Sequence, residues 1–200
     1  MIDTFLDARL LGLNPLEVIA SLLGLVSVGL TVRQNVLCWP IGIVMVALFT
    51  IVFARERLYA DAGLQVVFLV LQVYGWYEWL HGGKGASELP VTRTTPSTLL
   101  GLLVLGAAGT AALGTALARW TNQDLSYLDS AVAVYSLVAQ GLLARKKIEN
   151  WLLWIAIDVL AVGIYAWKHL YATAVLYGIF CFMAAAGYRA WRRSLVPEAA

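Results

Sequence analysis

A chain of 200 residues that is 61% hydrophobic and only 13% charged is no ordinary soluble domain, where about a quarter of residues carry charge. It reads as an integral membrane protein. The formal net charge of +2, with its basic residues scattered near the ends of apolar runs, excludes a nucleic-acid binder built on a basic stripe.

Residues 1–15 open the chain with Asp3 and Asp7 but no basic leader, which argues against a cleaved signal peptide and suits a short interfacial helix. Apolar runs then fall near 16–33, 36–54, 58–80, 99–118, 127–144, 151–167 and 171–191, each close to the roughly 20 residues a bilayer requires. Lipid offers no partner to an open backbone amide, so all seven are predicted to be helices. The expected organisation is a first three-helix bundle (16–80), a cytoplasmic loop (81–98), a linker helix with an outer loop (99–126), a second three-helix bundle (127–193) and a tail (194–200).

Cys38 and Cys181 both lie inside apolar runs, where thiols behave as small hydrophobes, so no disulfide or redox role is expected. His81 and His169 follow the third and sixth runs and fall on opposite membrane faces, which excludes a shared metal site. Nothing resembles a metal-ligand spacing, a nucleophile with its base, or a Gly-rich phosphate loop. No cofactor, metal or catalytic residue is expected.

Lys and Arg are unequally shared between the two faces implied by seven crossings. Arg33, Lys84, Arg93, Arg145, Lys146, Lys147, Arg189, Arg192 and Arg193 gather on one, against Arg9, Arg55, Arg57, Arg119 and Lys168 on the other. The positive-inside rule then predicts an outer N-terminus and a cytoplasmic C-terminus in a bacterial inner membrane.

The chain also repeats itself. Shifted by 112 residues, "LYADAGLQVVFLVLQVYGWYEW" (58–79) falls on "LYATAVLYGIFCFMAAAGYRAW" (170–191) with eight identities in twenty-two positions. The same shift brings Arg33 onto Arg145 and Gly29-Leu30 onto Gly141-Leu142, while "NVLCW" (35–39) matches "NWLLW" (150–154) if three residues of offset are allowed. The first three helices therefore resemble the last three, in parallel orientation, with the fourth as a connector of small and aliphatic residues. Transporters of this plan bind cargo near the midplane between their repeats.

Polar residues inside the runs mark candidate contacts. Asp158 stands seven residues into the sixth run, about 10 Å deep at 1.5 Å per residue, where an aspartate costs roughly 2.5–3.5 kcal/mol unless it meets a partner or a cavity. Trp151 and Trp154 share its helical face. Gln65, Gln72 and Trp76 make a comparable stripe in the third run, and Tyr177 is the repeat counterpart of Gln65. Asn150 and Trp39 enter through the match of "NWLLW" with "NVLCW". Aromatic faces and one carboxylate suit a cation, and amides suit hydroxyls. Glu17 and Asp129, each in a first helical turn, read as partners of the helix dipole.

Three stretches, "VYGWYEW", "ARKKIENWLLW" and the paired starts "ERLYADAGL" and "KHLYATAVLY", make residues 16–193 similar to the PnuC-type vitamin transporters, the nicotinamide riboside transporter family. The resemblance implies seven helices as 3+1+3, related to the SWEET architecture, and uptake of nicotinamide riboside by facilitated diffusion with trapping by a cytosolic kinase. It also implies that the family's tryptophan motif falls on Trp151 and Trp154 and its polar position on Asp158, where some members carry asparagine. Branches of the family are associated with thiamine, riboflavin or deoxynucleosides, and a carboxylate suits both the pyridinium of the riboside and the thiazolium of thiamine. A membrane-embedded enzyme and a non-transporting receptor are the readings from other classes. The expected partners are a small cationic vitamin and the lipid bilayer, with no nucleic acid; homo-oligomer formation is left open.

Overall fold

The structure, a computed structural model, describes residues 15–83, 85, 87–120 and 125–195. The interfacial helix expected before residue 15 and the last five residues of the tail lie outside them. Among the described residues seven helices follow one another: α1 Pro15–Val32, α2 Cys38–Arg55, α3 Tyr59–His81, α4 Pro96–Trp120, α5 Ser126–Ala144, α6 Glu149–Trp167 and α7 Tyr171–Arg193. Proline opens both α1 and α4, where its missing N–H costs nothing.

The protein is an all-α membrane protein in 3+1+3 order. Among the described residues six helices are long and apolar enough to cross a bilayer. The seventh, α3, has the length at 23 residues but carries Asp61, Gln65, Gln72 and Glu78, which take it below that apolarity. Its repeat counterpart α7 has the same length and meets the criterion.

The repeat is more regular in the backbone than in the sequence. Among the described residues four non-glycine positions have positive φ: Gln34 and Lys146 (55° and 47°), and Arg57 and His169 (61° and 58°). Each pair is separated by 112 residues, and each residue is the left-handed stop of a helix. Around them the same bonds recur. Gln34 N–H donates to Thr31 C=O as Lys146 N–H does to Leu143, both at 2.9 Å, and Leu58 N–H donates to Phe53 C=O as Leu170 N–H does to Tyr165, both at 2.8 Å.

This register corrects one expectation. Trp39 is equivalent to Trp151, not to Trp154, and the three-residue offset is unnecessary. Trp39 packs over Gly75 in α3, and Trp151 packs over Gly187 in α7, so tightly that neither glycine has room for a Cβ. The side chains flanking these tryptophans have diverged, which is why "NVLCW" and "NWLLW" align by letter in the wrong register.

The chain divides into two units, Met1–Tyr77 and Glu78–Ala200. Within the first, Ser27 Oγ donates to the Cys38 carbonyl at 2.8 Å and ties α1 to the start of α2. Gln72 fills the space over Gly42 between α3 and α2.

The second unit includes the last turn of α3, because Trp79 is built into it. Its indole N–H donates to Leu143 C=O at 3.2 Å, its ring tilts against Trp191 at 5.8 Å, and the Lys146 ammonium lies 4.4 Å from its centroid. Trp151 meets the same Trp191 edge-on at 5.4 Å. The linker α4 lays Gly106 and Gly114 against the rings of Tyr135 and Tyr127 in α5, and Tyr135 Oη donates to Leu103 C=O at 2.9 Å. Small residues thus let the two helices approach closely.

The segment before α4 is strapped across the α5–α6 turn. Thr92 N–H donates to Lys146 C=O at 3.1 Å, Ile148 N–H returns a bond to Thr92 C=O at 3.0 Å, and Thr94 N–H donates to the Glu149 carboxylate at 2.9 Å. Lys147 Nζ donates to Arg93 C=O at 3.0 Å. Val91, the residue before Thr92 in this strap, is buried.

Candidate substrate site

Asp158 sits in the middle of α6 with 3% of its surface exposed. Among the described residues its carboxylate makes no hydrogen bond and no ion pair; the salt bridge Lys168–Asp129, at 3.0 Å, lies at the far end of α6. Tyr177 and Cys181 of α7 stand within electrostatic range of it. The first repeat has Val46 at this position, fully buried. The backbone therefore accommodates an apolar residue here, and the acid answers no packing need.

The other candidates separate into different kinds of environment. Trp151 is buried as part of the Trp79–Trp191 cluster, and its work is to lock α6 on α7. Asn150 is fully buried and its amide donates to Lys147 C=O at 2.6 Å, closing the α5–α6 turn. Trp154 is half-buried on the face of Asp158. Tyr177 stacks on Tyr165 with centroids 5.2 Å apart.

In the first unit, Trp39 is buried against Gly75, Gln72 is buried over Gly42, Gln65 is half-buried, and Trp76 is 38% exposed. The stripe read on α3 thus turns from buried at Gln72 to exposed at Trp76. Asp158, Trp154 and Tyr177 are the candidates that the second unit brings together around one carboxyl group without a partner among the described residues.

Among the described residues no group of three or more His, Cys, Asp or Glu could hold a metal.

A family model described as "Nicotinamide mononucleotide transporter" matches residues 14–193. The chain belongs to this family. Among curated relatives, it is 31% identical over 207 residues to the nicotinamide riboside transporter PnuC of Escherichia coli K12, covering 91% of this chain and 87% of that one. It is 24% identical over 182 residues to the riboflavin/roseoflavin transporter RibM of Streptomyces davaonensis, covering 88% and 83%. Its fold matches a crystal structure of the vitamin B3 transporter PnuC with a TM-score of 0.69, at 24% identity, over 94% of this chain and 86% of the other.

In this member of the nicotinamide mononucleotide transporter family, two polar residues went unremarked in the sequence. Ser136 and Gln140 lie one turn apart on α5, 7% and 5% exposed, and neither side chain makes a hydrogen bond among the described residues. The signal that singled out Gln65 and Gln72, a polar residue well inside an apolar run, was present for both. Their repeat counterparts are Gly24 and Val28.

A volume exchange separates the two halves further. Gly42 and Gln72 of the first repeat correspond to Trp154 and Ala184 of the second. The large side chain is on α3 in one half and on α6 in the other. The second half thereby presents an indole beside its acid.

Proposed function

We propose that this transporter-family chain carries nicotinamide riboside across the membrane down its gradient, with Asp158 neutralising the pyridinium and Trp154 offering it an aromatic face. The observation that carries the reading is the unpaired, buried Asp158. A carboxylate in low dielectric attracts a cation and repels a phosphate, so a riboside fits it better than the mononucleotide of the family's description. The 31% identity to a nicotinamide riboside transporter supports the same choice.

Thiamine shares the positive charge and is the nearest rival, whereas the neutral ring system of riboflavin gains nothing from an acid. The asymmetry of Lys and Arg supports an outer N-terminus and a cytoplasmic C-terminus. Phosphorylation inside the cell would then hold the cargo, because a phosphate ester is unwelcome at Asp158.

The test is uptake of radiolabelled nicotinamide riboside into proteoliposomes, with unlabelled riboside, thiamine, riboflavin or nicotinamide as competitors. Competition by riboside alone at low concentration is the expected result. Stronger competition by thiamine reassigns the cargo, and binding without flux makes the protein a receptor.

A further inference from the structure

We infer that Gln140, with Ser136 one turn away, binds the hydroxyl-bearing sugar of the cargo and sets the preference for a riboside over a free cationic base. This rests on the reading of Asp158 as the cation site.

The placement follows from the α5–α6 hairpin. The two helices run antiparallel through the turn at Arg145–Ile148, so residues equally far from it lie level. Ser136 is nine residues before Arg145 and Asp158 is ten beyond Ile148, which puts both about 13–15 Å along their helices at 1.5 Å per residue. Gln140 and Trp154, five before and six beyond, share a second level about one helical pitch nearer the turn. The charge and the amide are therefore offset along the hairpin, as a nucleoside offsets its charged ring from its diol.

The chemistry is complementary. A carboxamide offers both donor and acceptor, which matches a vicinal diol, and a serine hydroxyl adds a third polar group. Gln140, Ser136 and Asp158 are all more than nine-tenths buried and none has a hydrogen-bond partner among the described residues.

Packing does not ask for them either. The same three positions of the first repeat hold Val28, Gly24 and Val46 on a backbone with the same turns. In that half the buried hydroxyls, Ser27 and Thr31, are consumed by backbone carbonyls at 2.8 and 2.9 Å. Unsatisfied polar groups kept in apolar surroundings are expensive, and a hydroxylated ligand satisfies these.

The test compares nicotinamide riboside with 1-methylnicotinamide, which has the charge but no sugar, binding to purified wild type, Gln140→Met, Ser136→Ala and Asp158→Asn. Gln140→Met is expected to lose about tenfold on the riboside and nothing on the methylated base, and Ser136→Ala to show a smaller loss of the same kind. Asp158→Asn is expected to weaken both ligands. Wild-type riboside affinity in Gln140→Met, or an equal loss for both ligands, overturns the role of Gln140 while the cation site stands.

A wild type that binds neither cation sinks the transport reading and this inference together. Where Gln140→Met does not fold, a riboside lacking its 2′- and 3′-hydroxyls is measured on wild type instead. About tenfold weaker binding is expected, and equal binding refutes the inference.

Discussion

Trp151 lies so close over Gly187 that a Cβ on that glycine would stand 2.5 Å from the indole ring, and Trp39 over Gly75 repeats the arrangement in the other half. Gly187→Ala and Gly75→Ala should each destabilise the protein by about 1–3 kcal/mol, the usual cost of overpacking. Gly163, which has open space where its Cβ would be, provides the control; Gly163→Ala should be neutral or slightly stabilising. Thermal unfolding in detergent reads all three, and equal behaviour of Gly163 and Gly187 would contradict the close contact.

Asp158 occupies the position of a buried valine, so its removal should relieve the ligand-free protein. Asp158→Val is expected to raise the midpoint of thermal unfolding and to abolish stabilisation by nicotinamide riboside. Asp158→Asn should weaken riboside binding by about 1–2 kcal/mol. A lowered midpoint in Asp158→Val, with riboside binding retained, would make the acid a structural group.

The strap over the α5–α6 turn depends on Glu149, whose carboxylate accepts the Thr94 N–H at 2.9 Å. Glu149→Ala removes a hydrogen bond to a charged acceptor and should cost about 1.5–3 kcal/mol. Thr92→Pro deletes the N–H that bonds Lys146 C=O and should open the segment further. Amide hydrogen exchange of residues 87–95 is the measurement, and unchanged protection in both variants would refute the strap.

Lys146 and Trp79 interact through the ring face at 4.4 Å. A double-mutant cycle with Lys146→Met and Trp79→Leu should return a coupling of about 0.5–2 kcal/mol. Additive effects of the two substitutions would show that the ammonium gains nothing from the indole.

Arg57 is exposed and left-handed, with φ at 61°. Glycine adopts that conformation without the Cβ clash, so Arg57→Gly should stabilise by about 1 kcal/mol. Arg57→Ala keeps the clash and should give no gain, a contrast that thermal unfolding resolves.

Much of the fold was legible because a bilayer turns composition into geometry. Runs of about 20 apolar residues must be helices, and a shift of 112 residues exposes two copies of one bundle. Where the repeat was read wrongly, at "NVLCW" against "NWLLW", identical letters had drifted across a turn whose backbone had not. Helix ends are set by left-handed residues and their hydrogen bonds, and Gln34, Lys146, Arg57 and His169 carry no glycine to announce them.

The sequence by itself determined that the protein lives in lipid, repeats three helices about a fourth, and sets an acid deep inside its sixth apolar run, since each follows from spacing and the cost of desolvation. Which polar groups are already satisfied was decided only by tertiary structure. Among the described residues the Asn150 amide N–H₂ closes a turn while its carbonyl oxygen stays unpartnered, Trp151 packs on a glycine with its indole N–H unpartnered, and Asp158, Ser136 and Gln140 make no side-chain hydrogen bond. Sequence places a residue along a helix, but a hydrogen bond depends on what the neighbouring helix brings to the same level.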